Sequence, residues 1–364
     1  MSISLARLVT DAKIRSLSLI GLSKNAGKTT ATNHLLETLI EKRQYRSDEL
    51  ALTSLGLDGE TTDALTGLPK PRYFPQAGLL VATTTELLLQ AEREGTQVER
   101  LLQLPGRTAL GPVILARIVR PGRVIIAGPT LLHDLRNAID QLERLGARLS
   151  IVDGAINRLG VAAPVIINAC IVCTGASAAA TPELVARRTS DVLRRLSTQK
   201  TQFIDAYRKH TSQTRLFMFA LDDGENTNTQ YEGDIEPLHE ASWITKYIET
   251  SQKPIFILRG AFTEELSRAL LAELSKKYSP DHRGELIVED ATRIFCHSVV
   301  LQRLSEQGLD IRVANSIRIL ALTANPYTPE YLCSSQHLLD VLAKELSASC
   351  PPIIDVVSGY TYVV

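Results

Sequence analysis

The stretch that decides the fold is SLIGLSKNAGKTTATNHLL, residues 18–36. It reads as strand, loop and helix: SLSLIG is an apolar run of strand length, and beyond the loop Leu35, Leu36, Leu39 and Ile40 recur at helical spacing. The loop holds the Gly-Lys-Thr of a phosphate-binding sequence at Gly27, Lys28 and Thr29. The glycine that ordinarily opens such a loop is displaced, because Leu22 occupies its position and Gly21 precedes it. The setting still argues for an anion site: backbone N–H groups at a helix start point into the loop, and the helix dipole favours negative charge there. Asn25, Ala26, Gly27, Lys28, Thr29 and Thr30 are therefore the expected cofactor-binding residues. Lys28 is expected to reach the outer phosphates and act in catalysis, and Thr29 to offer its hydroxyl to magnesium.

Such a loop needs an acid at the end of a neighbouring strand to hold or orient the hydrated metal. Two aspartates fit. Asp153 ends the strand in LSIVDG and reads as the metal-side acid, while Asp58 in LGLDGE reads as the acid that orients water or works as a switch. Each also reads as a turn aspartate beside a glycine. RVIIAGPT, where the order of elements could place such an acid, ends in Gly128-Pro129 without one. The guanine-reading Asn/Thr-Lys-x-Asp signature is absent, which favours ATP, with Mg2+, over GTP.

Nothing else in the chain assembles into a site as well. Cys296-His297, Cys333 and His337 have no second pair at zinc spacing. Cys170 and Cys173 lie in the strand-like VIINACIVCTGA, where residues three apart face opposite ways, so they are not expected to share a metal or redox role. No serine sits in a Gly-x-Ser-x-Gly setting.

Apolar strand-length runs alternate with helical patterns along the chain, which implies an α/β fold with a mostly parallel sheet. ELALTS is a second strand, and Thr61–Leu80 a long irregular connection. ATTTELLLQAEREG reads as a helix. VILARIV and RVIIAG, joined by Arg120-Pro121-Gly122-Arg123, read as an antiparallel hairpin. A helix over TLLHDLRNAIDQLERL closes at Gly146, the strands around SIVDG and ACIVC follow, and Thr181-Pro182-Glu183 starts another helix. Polar residues dominate from 201 to 236. The expected organisation is thus a nucleotide-binding P-loop NTPase domain over 1–200, a linker over 201–236, and a smaller α/β domain over 237–364 for a partner or substrate.

At 364 residues and 44% hydrophobic content the chain can bury a sizeable core in each domain. Lysine plus arginine and aspartate plus glutamate both number 40, so there is no global field to recruit nucleic acid or anionic membrane. No apolar run is long enough to span a membrane, and the N-terminus lacks a basic region followed by an apolar run. Five cysteines fit reduced thiols better than a disulfide framework. The expected location is the cytoplasm.

Several stretches, in order, are similar to those of the reactivase subunit that accompanies lysine 5,6-aminomutase: GLSKNAGKTT, TSLGLDGETTD with PKPR, IIAGPT, IVDGAINR with CTGA, FILRGA and ALTANPYTP. The similarity spans nearly the whole chain. It implies an ATP-using protein that restores a coenzyme-B12-dependent aminomutase after damage to its cobalamin, working with a second ATPase subunit. The strand, loop and helix also resemble dethiobiotin synthetase and related ATP-dependent ligases, which implies an alternative: phosphorylation of a small carboxylate, with Lys70 and Arg72 of the long connection on the substrate. A third reading is a non-catalytic nucleotide-binding scaffold. In some relatives of that P-loop class an extra loop lysine crosses a dimer; Lys24 is one residue out of register with it and reads as a solvated loop lysine, which leaves a homodimer open.

Overall fold

The computed structural model describes residues 4–56, 72–154, 160–209, 215–221, 227–233, 236–251, 253–277, 283–327, 333–346 and 350–362. Its elements begin with α1 (Leu5–Asp11), β1 (Ser16–Gly21), α2 (Lys28–Glu41), β2 (Leu50–Ser54), β3 (Leu80–Thr84), α3 (Thr85–Arg93), β4 (Gln97–Gln103) and β5 (Val113–Arg120). There follow α4 (Leu132–Arg144), β6 (Leu149–Gly154), β7 (Ala169–Gly175), α5 (Pro182–Leu196), α6 (Ile204–Lys209), β8 (Leu216–Leu221), β9 (Thr227–Gly233) and α7 (Glu240–Thr250). The chain closes with β10 (Pro254–Leu258), α8 (Glu264–Lys277), β11 (Gly284–Asp290), α9 (Ser298–Glu306), β12 (Leu309–Asn315), β13 (Ile319–Asn325), α10 (Ser335–Leu346), β14 (Ile353–Ile354) and β15 (Thr361–Tyr362).

SLSLIG sets Ser16 and Ser18 on one face and Leu17 and Leu19 on the other, yet every residue of β1 is buried. Such a strand needs neighbours on both edges and cover on both faces. It finds β6 on one edge and β7 on the other, both parallel. The sheet runs β15-β14-β13-β7-β1-β6-β2-β3-β5-β4, parallel from β14 through β3 and antiparallel at its margins. Strand residues alternate between its faces, as a period of two demands. Leu17, Leu19, Leu50, Leu52 and Val81 join one core with Ala31, Leu35 and Leu39 of α2, whereas Ala51, Leu80 and Ala82 join a second core with Ala138 and Leu142 of α4. The fold is α/β with a large, mostly parallel sheet.

The chain divides into two compact units, Met1–Thr189 with Arg318–Val364, and Ser190–Ile317. This corrects the contiguous division expected from sequence. Residues 201–236 are not a linker, since they contribute α6, β8 and β9 to the second unit. The last stretch of chain returns to the first unit, where β13 pairs in parallel with β7. The polar texture of TNTQYEG misleads because β9 is the end strand of its sheet, order β12-β11-β10-β8-β9. An end strand needs only one hydrogen-bonded neighbour and tolerates polar side chains. That sheet packs Phe217, Phe219, Ile255, Ile257 and Ile287 against Phe203, Ile204 and Tyr207.

Two local expectations also change. Ala82–Thr84 belongs to the buried strand β3, and the helix begins only at Thr85. The hairpin partner of β5 is β4, not the stretch after Pro121-Gly122. Val124–Gly128 crosses the carboxyl ends of β2 and β3, and hydroxyl groups take up its backbone. Thr83 Oγ1 donates to Ile125 O (3.0 Å) and accepts from Ala127 N (2.9 Å), and Gly128 N donates to Ser54 Oγ (3.0 Å). Among the described residues no helix is long and apolar enough to cross a membrane.

This crossing is tight: a Cβ on Gly128 would lie 1.9 Å from the carbonyl oxygen of Ser54. Gly128→Ala is expected to lower the unfolding free energy by about 3 kcal/mol, as for an overpacked core site. Gly106→Ala has nothing within 4 Å of its Cβ and a φ of +89°, and should cost only about 1–2 kcal/mol of backbone strain. Urea titration of the two variants against the parent checks the order.

Candidate functional site

The connections that leave β1 for β2 and β6 for β7 run to opposite sides of β1, so its carboxyl end lies at a switch point of the sheet, where α/β proteins place ligands. Gly21, Ser54, Asp153, Gly175 and Asn325 all stand at this edge, as the strand registers require.

The displaced glycine has a geometric reason. Leu22 stays in register with the sheet, its side chain buried and its N–H donating to Cys173 O at 2.8 Å. The aliphatic stem of Lys28 crosses the preceding residue: a Cβ on Gly21 would lie 2.9 Å from Lys28 Cδ and 3.1 Å from Cε. The side-chain-free position therefore belongs one residue earlier. The loop then turns through Asn25 (φ 59°) and Gly27 (φ 87°), both left-handed, and Gly27 caps α2 without a side-chain hydrogen bond. Asn325 Nδ2 pins the loop apex by donating to Asn25 O at 2.8 Å, and Ser23 Oγ lies 2.9 Å from Ser177 Oγ. Ala26 is buried, Thr29 half-buried and Thr30 exposed. An uncapped helix start behind left-handed residues presents N–H groups suited to an anion.

Lys28 meets the acid that the sequence singled out. Its Nζ lies 3.2 Å from Asp153 Oδ1 and donates to Gly154 O at 2.9 Å. The side chains of Lys28 and Asp153 are only 20% and 23% exposed. Tyr73, buried and paired through its backbone with Val124, donates its hydroxyl to Asp153 Oδ2 at 2.7 Å. Burial first and the Asp153 charge second hold the Tyr73 phenol well above its ordinary range, while a hydrogen bond with the Thr29 side chain works the other way. The phenol therefore keeps its proton and acts as a donor. Asp153 Oδ1 is buried and has charge contact with Lys28 but no hydrogen bond. Such an atom has an open lone pair for a cation or its water.

Lys28, Thr29 and Asp153 thus converge, Asn25, Ala26 and Gly27 form the loop before them, and Thr30 lies exposed in the first turn of α2. Asp58, Glu60 and Lys70 lie outside the described residues, and Arg72 pairs with Glu94 rather than facing the site. The sequence reading missed Tyr73 and Asn325. The only signals for them were an aromatic in a proline-rich connection and an asparagine closing an apolar strand before a proline. Burial pushes the Cys170 and Cys173 thiols up to about 12, so both stay protonated core residues at neutral pH.

Beside the loop a small cleft lies against Gly27, Thr30, Asn325 and Val357. Asp355 borders it but is occupied as a turn acceptor for Val357 N, Ser335 Oγ and Ser358 Oγ. A second cleft opens between Gly106–Thr108 and the start of α4, with Arg107, Asp134 and Asn137 in its lining. Its lining holds Gly106 but no lysine–carboxylate pair like Lys28–Asp153, so Lys28 and Asp153 stay the candidate site. Among the described residues no group of three or more His, Cys, Asp or Glu side chains could hold a metal ion.

No family model, no curated protein and no solved structure matches the chain.

Truncating one member of a buried pair leaves the other charge uncompensated. Asp153→Ala is expected to destabilise the ligand-free protein by about 1–3 kcal/mol, below the fully buried limit of 3–5 kcal/mol because both groups keep some solvent contact. In the double variant Lys28→Met/Asp153→Ala much of that loss should return, as read from urea midpoints.

Proposed function

We propose that this chain is an ATP-binding, magnesium-dependent P-loop ATPase, with Lys28 at the phosphates and Thr29 and Asp153 on the metal side. The observation that carries the reading is the Lys28–Asp153 pair laid across Gly21 at an uncapped helix start. Lys28 pairs with Asp153 and donates to Gly154 O, and its ammonium suits an anion. An arriving triphosphate competes for the ammonium with charge-assisted hydrogen bonds from Lys28 and the loop N–H groups. Asp153 is then left without its counter-charge, in a site where an isolated carboxylate is costly. Asp153 and the Thr29 hydroxyl would then hold a hydrated cation. Magnesium typically takes one or two protein oxygens plus phosphates, so two such donors suit it. When bound, the metal neutralises charge on the phosphoryl oxygens. Asp58, from its position in the sequence, is the acid proposed to orient the attacking water.

The resemblance of the motifs extends the proposal. The ATPase step would drive reactivation of a coenzyme-B12-dependent amino-acid aminomutase in the cytoplasm, alongside a second ATPase subunit. A damaged cofactor held tightly does not leave on a useful timescale by itself, and nucleotide-driven ordering of loop segments supplies a directional step. A dethiobiotin synthetase-like ligase or kinase is the second reading, favoured by the Arg107–Asn137 cleft. That cleft lies at the same sheet edge as Lys28, because Val113 pairs with Thr84 at the carboxyl end of β3.

Titration with a fluorescent ATP analogue in magnesium tests the core of the proposal. Lys28→Ala should weaken binding by about 10–100-fold, the worth of a charge-assisted contact of 1.5–3 kcal/mol, and GTP should compete poorly. Equal binding by both proteins, or none by either, overturns it. Phosphate release stimulated by an inactivated aminomutase supports the reactivase role, whereas stimulation by small carboxylates supports the ligase.

A further inference from the structure

A tyrosine at position 73 is more than packing requires. Its ring is buried, and phenylalanine would fill the same space without a polar atom to satisfy. The hydroxyl instead binds one oxygen of Asp153 and leaves the other, Oδ1, without a hydrogen bond beside Lys28. With Oδ2 held at 2.7 Å, the carboxylate cannot rotate freely, so the direction of Oδ1 is set by Tyr73.

The short segment around Tyr73 is itself anchored. Tyr73 exchanges backbone hydrogen bonds with Val124 (2.9 and 3.1 Å), Phe74 N donates to Asn33 Oδ1 (3.3 Å), and Asn33 Nδ2 donates to Arg72 O (3.4 Å). Asn33 lies on α2, the helix that Lys28 opens. Both flanks of the segment therefore grip the lysine's helix, and its centre grips the lysine's acid.

We propose that Tyr73 is a positioning residue: its hydroxyl fixes Asp153 so that Oδ1 faces the hydrated magnesium of a bound nucleotide, and it transmits the loading of that carboxylate to Arg72–Phe74. This rests on the nucleotide reading above. Partners that orient a metal-side ligand commonly set metal affinity without touching the metal.

The test is the magnesium dependence of fluorescent ATP-analogue binding by the full chain. Tyr73→Phe should raise the magnesium concentration for half-maximal effect by about tenfold, with binding in EDTA unchanged, because Lys28 and the loop amides are intact. A magnesium midpoint equal to the parent's overturns the proposal. So does a loss of binding equally large in EDTA, which is what lost packing alone would give. If the parent protein binds no nucleotide, the ATPase reading itself falls. A readout on the parent chain covers the case in which the variant does not fold: hydrogen exchange at the Tyr73 and Phe74 amides should slow with magnesium and the analogue together, but not with the analogue in EDTA. Unchanged exchange overturns the coupling.

Discussion

An ammonium and a carboxylate, each about one-fifth exposed, hold each other at the carboxyl edge of the sheet, and much of the surrounding geometry follows from them. Lys28 reaches Asp153 by crossing the end of β1, so a side chain at residue 21 would crowd its stem. Asp153 has partners on both of its oxygens, and Lys28 and Tyr73 supply them from different segments. Each charge is affordable in a half-buried site because of the other.

Much of this was legible in the sequence. The strand, loop and helix from Ser16 to Glu41 follow from apolar spacing, and Asp153 stands out as an acid ending an apolar run. The displaced glycine was visible as a departure but not as an adaptation, since its reason is a side chain seven residues further on lying across it. Tyr73 and Asn325 were not legible, because what matters is whom they meet: Asp153 and Asn25 lie far away along the chain. The Val124–Gly128 run misled for a related cause. Its β-branched residues suit a strand, but threonine and serine hydroxyls satisfy its backbone instead, a competition that local propensity does not record. The division into units misled because domain borders read from polar texture assume a chain that does not return.

Electrostatics gives the site a reciprocal character. On the proposed reading, an anion that takes Lys28 would leave the Asp153 carboxylate alone without its counter-charge. Anion and cation would then favour each other's binding to the same extent, as linkage requires. The protein need not move far for this; reassigning the partners of Lys28 suffices.

The return of Arg318–Val364 to the first unit bears on how the protein is made. β7 is flanked on one edge by β1 and on the other by β13, and between β7 and β13 the chain builds the whole of Ser190–Ile317. During synthesis the first unit thus waits, with one edge of its central sheet unpaired, until a second hydrophobic core has left the ribosome. An open parallel edge is a template for wrong pairing, and long-range parallel pairing is slow to form. The inserted unit, with its core drawn from its own contiguous stretch of chain, can fold first and bring β13 near its partner. Asn325, which pins the Lys28 loop, is made only after the inserted unit, so the site forms once Ser190–Ile317 has been synthesised.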